Sequence, residues 1–156
     1  MSLSSPLIKF GITASEVLTD ESLSSTAKTV THSAFDESVT PDPATIISED
    51  VYALSGGAAT IDLRALYTVA GGSGDGNGLK VQGFYFKNLG ANAMTIVAGA
   101  SNGYLIFGTS GSVVVQPSGG FSMNFQDASA DIDDTHKTID ISGTSAQTFE
   151  AGFILG

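Results

Sequence analysis

Asp127, Asp131, Asp133 and Asp134 crowd into a short stretch that runs on to His136, the densest group of chemically competent side chains in the chain. A hard cation such as calcium takes about six to eight oxygen ligands, so a carboxylate cluster is the first chemistry to weigh. The spacing departs from an EF-hand loop, with no central glycine and no closing glutamate, and it reads as a solvated, turn-forming acidic loop. Zinc wants three or four ligands in a closed shell. His32 and His136 are the only histidines, they lie far apart in sequence, and there is no cysteine, so the residues assign no metal and no cofactor.

Nucleophilic catalysis needs a hydroxyl beside a base that a third group orients. No Gly-x-Ser-x-Gly elbow occurs, and Ser110 in Gly108-Thr109-Ser110-Gly111 reads as a hairpin tip. His136 pairs with an aspartate only on paper. The glycine-rich stretch Gly71 to Lys80 invites comparison with phosphate loops. A Walker loop, however, needs glycine directly before its lysine and a hydroxyl directly after, opening a helix. Here Leu79 intervenes, Val81 follows and the next element is a strand, so the stretch reads as a hairpin loop. Phe84, Tyr85, Phe86, Tyr104, Phe107, Phe121 and Phe125 are the material for a sugar platform, yet the chain has no tryptophan, and phenylalanines at strand spacing are core residues. Tyr52, Tyr67, Tyr85 and Tyr104 are expected near an interface. No catalytic residue is assigned and the expectation is not an enzyme.

The elements that must position these side chains are strands. Ile61 and Leu63, Val113 and Val115, Phe121, Met123 and Phe125, Ile139 and Ile141, and Phe149, Phe153 and Leu155 fall at even spacing. Alternate side chains of a strand face opposite ways, so each set enters a core while its neighbours meet solvent. Repeated short segments of this kind, separated by glycine, predict an all-β antiparallel sandwich, of which a jelly roll is one form. The strands fall at Ile46–Leu54, Ala59–Leu66, Leu79–Asn88, Ala93–Ala98, Tyr104–Phe107, Val113–Gln116, Phe121–Gln126, Lys137–Ser142 and Gln147–Leu155. Asp62 and Arg64 share the face opposite Ile61 and Leu63, with Ala65 facing inward. Gly56-Gly57, Asn77-Gly78 and Asn102-Gly103 read as tight turns, Asn77-Gly78 of type I′. Val81 and Phe84 break parity across Gly83, which predicts a bulge there. Ala59-Thr60-Ile61-Asp62-Leu63 is echoed by Lys137-Thr138-Ile139-Asp140-Ile141.

Residues 1–44 differ. Ile8, Phe10 and Ile12 alternate across a first strand, Leu7 to Thr13. A polar stretch from Ser15 to Glu37 then offers weaker strands, and Pro41 and Pro43 bracket Asp42. Eight acids up to Asp50 face Lys9 and Lys28, a local charge of −6. The span reads as an extended N-terminal arm or loosely packed subdomain, and residues 45–156 as the sandwich domain.

Sixteen acidic against six basic residues give a net charge of −10. Duplex binding requires Lys and Arg to displace counterions, so neither nucleic acid nor an anionic membrane is an expected partner. No stretch has transmembrane length, and Met1 to Thr13 lacks the basic and apolar segments of a signal peptide.

Thr60-Ile61-Asp62-Leu63-Arg64-Ala65-Leu66, Leu79-Lys80-Val81-Gln82-Gly83-Phe84-Tyr85-Phe86-Lys87-Asn88, Ala93-Met94-Thr95-Ile96-Val97, Val115-Gln116-Pro117-Ser118-Gly119-Gly120 and Thr138-Ile139-Asp140-Ile141 together resemble small structural proteins from the virion modules of tailed bacteriophages and prophages. The likeness covers about two-thirds of the chain and leaves residues 1–44 aside. What it implies is a capsid decoration or cement protein on the exterior of the virion, assembled in the bacterial cytoplasm. Its partners would be the major capsid protein and itself, with a homotrimer favoured. The alternatives are a tail or head-fibre component, or a module binding carbohydrate or a host receptor.

Overall fold

A computed structural model of the chain describes residues 8–18, 28–39, 44–69, 71–125 and 129–156, and every regular element among them is a strand. Pro41, Pro43 and Asp127, on which parts of the sequence reading rest, lie outside the described residues. The chain divides into two units. The first is a ribbon in which β1 (Ile8–Leu18) pairs antiparallel with β2 (Lys28–Val39), with one shift of register between Ile12 and Thr13. The strand expected to end at Thr13 therefore continues to Leu18, and the polar stretch after Ser15 supplies parts of both strands. His32 sits on β2 opposite Ala14.

The second unit contains β3 (Ile46–Ala53), β4 (Ala58–Asp62), β5 (Leu66–Tyr67), β6 (Ser73–Gly74), β7 (Val81–Asn88), β8 (Met94–Ala98), β9 (Ser112–Val115), β10 (Gly120–Asn124), β11 (Thr138–Ser142) and β12 (Thr148–Leu155). Two four-stranded antiparallel sheets form, in the orders β10-β7-β12-β3 and β4-β11-β8-β9, and β5 pairs with β6 apart from them. The pairings nest: β3 with β12, β4 with β11, β7 with β10, β8 with β9. A single long hairpin has been folded over on itself, which is the winding of a jelly roll. The fold-over adds the pairs β12–β7 and β11–β8.

The two sheets fill their shared core with different side chains. Phe84 and Phe86 on β7 meet Phe149 and Phe153 on β12, with ring centroids 4.9 Å apart in both Phe84–Phe153 and Phe86–Phe149. Facing them are the branched and flexible residues Ile61, Met94, Ile96, Val115, Ile139 and Ile141, all buried. Flat rings against branched aliphatics interdigitate at crystal-like density. Phe121, Met123 and Phe125 are only partly buried, because β10 is an edge strand.

Local chemistry explains the turns. Gly56 and Gly57 both take positive φ, 62° and 89°, and Ser55 bridges Ala58 around them, as a type I′ turn requires. The chain thereby passes from one sheet to the other. The Asn77-Gly78 turn differs from expectation: only Gly78 has positive φ, and Leu79 N–H bonds the Gly76 carbonyl at 2.9 Å, so Asn77 is not in the type I′ conformation. The expected bulge is present but falls one residue early. Ile154 faces Gly83 and Leu155 faces Val81, which leaves Gln82 as the extra residue. Tyr104–Phe107, expected as a strand, is irregular, and Ala65 is exposed while Leu66 enters the core.

The two echoed segments are partners. Ile61 pairs with Ile139 in the core, while Thr60 faces Asp140 and Asp62 faces Thr138 on the outer face. Two Thr-Ile-Asp runs laid antiparallel bring each hydroxyl opposite a carboxylate. Thr60 Oγ1 accordingly donates to Asp140 Oδ1 at 2.6 Å.

Candidate functional site

The polar loops gather where the β5–β6 hairpin and the segment before β11 meet. Ile132, fully buried, anchors that segment: its N–H bonds the Leu79 carbonyl at 2.7 Å and its own carbonyl accepts from Gly78 at 2.8 Å. Arg64 reaches across this region. Its Nε donates to Asp75 Oδ1 at 3.0 Å and its Nη1 donates to Asp134 Oδ1. The Arg64 hydrogen bond, followed by the Asn77 N–H, holds the Asp75 carboxyl below the ordinary carboxylate range. Asp62, expected to interact with Arg64, accepts from its backbone N–H at 2.9 Å, and Lys137 Nζ stands 3.7 Å from Asp62 Oδ2. The glycine-rich stretch thus serves to hold Asp75 against Arg64, and β6 makes it one arm of a hairpin.

The acidic cluster is dispersed among separate partners. Asp131 bridges Lys80 through its backbone, Asp134 pairs with Arg64, and Asp133 caps the turn that follows it. Asp133 Oδ1 accepts from Thr135 Oγ1 at 2.7 Å and N–H at 2.6 Å, and from His136 N–H at 2.8 Å. These bonds, the Thr135 hydroxyl foremost, push its pKa down to about 2. Among the described residues no three His, Asp or Glu side chains converge as a metal shell would. A carboxyl-detected titration of Asp133 is expected to show a midpoint near 2. A depressed carboxylate contributes stability above its unfolded value of about 3.9, and that stability is lost as pH falls through the folded one. A midpoint near 4 for Asp133 would contradict this turn geometry.

His136 lines a pocket of about 250 Å³ together with Tyr104, Leu105, Ile106, Phe125, Ser129 and Ala130. Asp133 Oδ1 stands 3.1 Å from the imidazole Nδ1, and Thr135 Oγ1 stands 3.0 Å from it. An imidazole backed by a carboxylate is two-thirds of a nucleophilic triad. The hydroxyls of the described lining residues are engaged elsewhere. Ser129 Oγ donates to the Val81 carbonyl at 2.7 Å, and Tyr104 Oη donates to the Ala130 carbonyl at 2.7 Å. Both hydroxyls in the wall are committed to backbone, so neither is activated toward a substrate. Ser110, the other serine considered, lies in the β8–β9 connection and outside this pocket.

The aromatics do not form a platform. Phe84, Phe86 and Tyr104 are buried, and Phe107, Phe121 and Phe125 pack against the core. Tyr104, expected near an interface, is only 2% exposed, whereas Tyr67 is exposed at 55%. Tyr85 crosses its sheet over Gly152, where an added Cβ would lie 2.2 Å from the ring, and its hydroxyl donates to Glu150 Oε1 at 2.8 Å. Burial first, then that hydrogen bond, raises its pKa. Asn88 is a residue whose role the sequence does not announce. It is fully buried, and Nδ2 reaches the carbonyls of Asn92, Val115 and Gln116 at 2.8, 3.1 and 3.2 Å.

No protein-family model matches this chain and no curated protein matches it. Among solved structures, the crystal structure of PirA aligns with 68% of this chain and 92% of its own, at 12% identity and a TM-score of 0.41. A likeness that loose carries no argument about function.

Proposed function

We propose that this chain is a bacteriophage virion structural protein that binds the outer surface of the major capsid lattice as an oligomer, a trimer in the favoured form, and stabilises the head. The observation that carries the reading is the β1–β2 ribbon. Its two strands, of 11 and 12 residues, form a sheet and a unit of their own. An isolated two-stranded ribbon is marginally stable in water and needs a third strand or a packing face. A two-stranded ribbon is suited to adding strands to a neighbouring subunit's sheet. Many weak contacts shared among subunits then build affinity through multivalency.

Charge supports the side. A chain of −10 is repelled by DNA packed inside a head and is tolerated on the exterior. The jelly-roll unit supplies a rigid mass whose pocket hydroxyls are engaged by backbone, which favours a scaffold over a catalyst. Fold alone would not license this step.

The test is electron cryomicroscopy of purified particles, paired with co-sedimentation of the full-length chain on heads. Density for the chain on the outer shell, with its ribbon on an adjacent subunit, is the expected result. Val30→Pro, which removes a backbone N–H from β2, is expected to weaken co-sedimentation while leaving jelly-roll unfolding unchanged. Particles that lack the chain, or heads that fail to bind it, overturn the reading.

A further inference from the structure

We propose that the side of the jelly roll formed by β9 and β10 is the surface on which a second copy of this chain docks. β9 is the edge strand of one sheet and β10 the edge strand of the other. A short turn joins them, closed by Gly119 N–H on the Gln116 carbonyl at 2.9 Å, so both edges lie on one side. β3 and β4, joined through Gly56-Gly57, form the opposite side.

The two sides differ in charge. Residues 88–126 supply β8, β9, β10 and the loops between them, and contain no Asp, Glu, Lys, Arg or His. This neutral run sits in a chain of net charge −10. The opposite side carries Glu49 and Asp50 on β3 and Asp62 on β4, and part of the β3 edge is already occupied by the Ser48–Thr68 bridge and by Val69 N–H on the Ile47 carbonyl. Among the described residues, no backbone hydrogen bond reaches the outward edge of β9.

Natural sheet edges are guarded by charges, prolines or covering loops, because unpaired N–H and C=O groups recruit further strands. β9 carries no charge and no proline along Ser112–Val115, and Val114 is 56% exposed on it. Leu89 and Leu105, also exposed, belong to the same neutral run. The occupant follows from charge. Two copies of a −10 chain repel wherever their acids come within about 8–10 Å, the screening length at physiological salt. The neutral side lets them approach without that repulsion. A cationic foreign partner would be drawn to the acidic side instead.

This names the self-contact of the oligomer proposed above, and it stands or falls apart from capsid binding. Sedimentation equilibrium of the full-length chain in the absence of capsid tests it, at concentrations up to about 100 μM. The wild type is expected to self-associate. Val114→Lys is expected to weaken association at least about tenfold, and Ser112→Lys, on the same strand, to do likewise. Val51→Lys, at the equally exposed Val51 on β3, is expected to leave it unchanged. A monomeric wild type overturns the proposal, and so does association that survives both β9 lysines or is lost with Val51→Lys. Loss of capsid binding with self-association intact would instead count against the virion reading alone.

Discussion

Phe149→Ala is expected to be among the most damaging single truncations in the jelly-roll unit, lowering stability by about 3–5 kcal/mol. Phe149 is fully buried on β12. Its ring stacks on Tyr52 of β3 at 5.3 Å and on Phe86 of β7 at 4.9 Å. Removing it deletes the middle of a three-ring stack that spans neighbouring strands of one sheet. The rings on either side are held by their own ladders, so the void cannot collapse, and the cavity penalty adds to the lost transfer energy. For a domain of this size, the corresponding fall in Tm is roughly 10–25 °C. Thermal unfolding followed by circular dichroism reads it, with Val51→Thr as an exposed comparison whose Tm should scarcely move. A Phe149→Ala protein that melts within a few degrees of the wild type would mean that the two sheets do not close on this stack.

Much of this core is legible before folding. The alternation of Phe149, Phe153 and Leu155, and of Ile139 and Ile141, identifies the buried face of β12 and β11 directly, because strand geometry converts even spacing into one side. The parity break before Phe84 signals the bulge, since only an extra residue can return Val81 and Phe84 to the same face. The pairing of strands is another matter. The Thr-Ile-Asp echo is visible as a likeness between two segments, but nothing local says that Thr60 and Asp140, 80 positions apart, form a bonded pair. Register between distant strands is set by the whole core.

The site was less legible for the same reason. Arg64 finds Asp75 and Asp134 at separations of 11 and 70 residues, so the ion pairs exist only once the β5–β6 hairpin and the anchored Ile132 are in place. The acidic stretch looks like a ligand cluster in one dimension and disperses in three, with Asp133 turned to its own following residues and Asp134 to Arg64. Tyr104 misleads in the opposite sense. Its apolar neighbours suggest a strand, yet its hydroxyl accepts from Val81 N–H at 3.3 Å and donates to Ala130. Those bonds hold Tyr104 in the core, where the segment packs as irregular chain.

Asn88→Asp is expected to destabilise the fold by about 2–4 kcal/mol at neutral pH and to make its stability newly dependent on pH. Asn88 ends β7 in one sheet, and its amide nitrogen binds the carbonyls of Val115 and Gln116, where β9 of the other sheet ends. Its Oδ1 accepts from Gly90 N–H at 2.8 Å, so a single side chain satisfies groups on both sheets. A carboxylate there keeps the acceptor and loses the donors, leaving a buried charge against carbonyl oxygens. Burial and those oxygens both favour the protonated acid, so its folded pKa rises above the unfolded value of about 3.9. Between the two values the folded state binds the extra proton, and stability therefore falls as pH rises through that window. Chemical denaturation at several pH values between about 4 and 7 should show the gap between variant and wild type widening upward. That window lies above the range in which Asp133, at about 2, loses its contribution, so the two effects separate. A gap that stays constant, or narrows with rising pH, would mean that position 88 is open to water and that Asn88 does not bind the two sheets together.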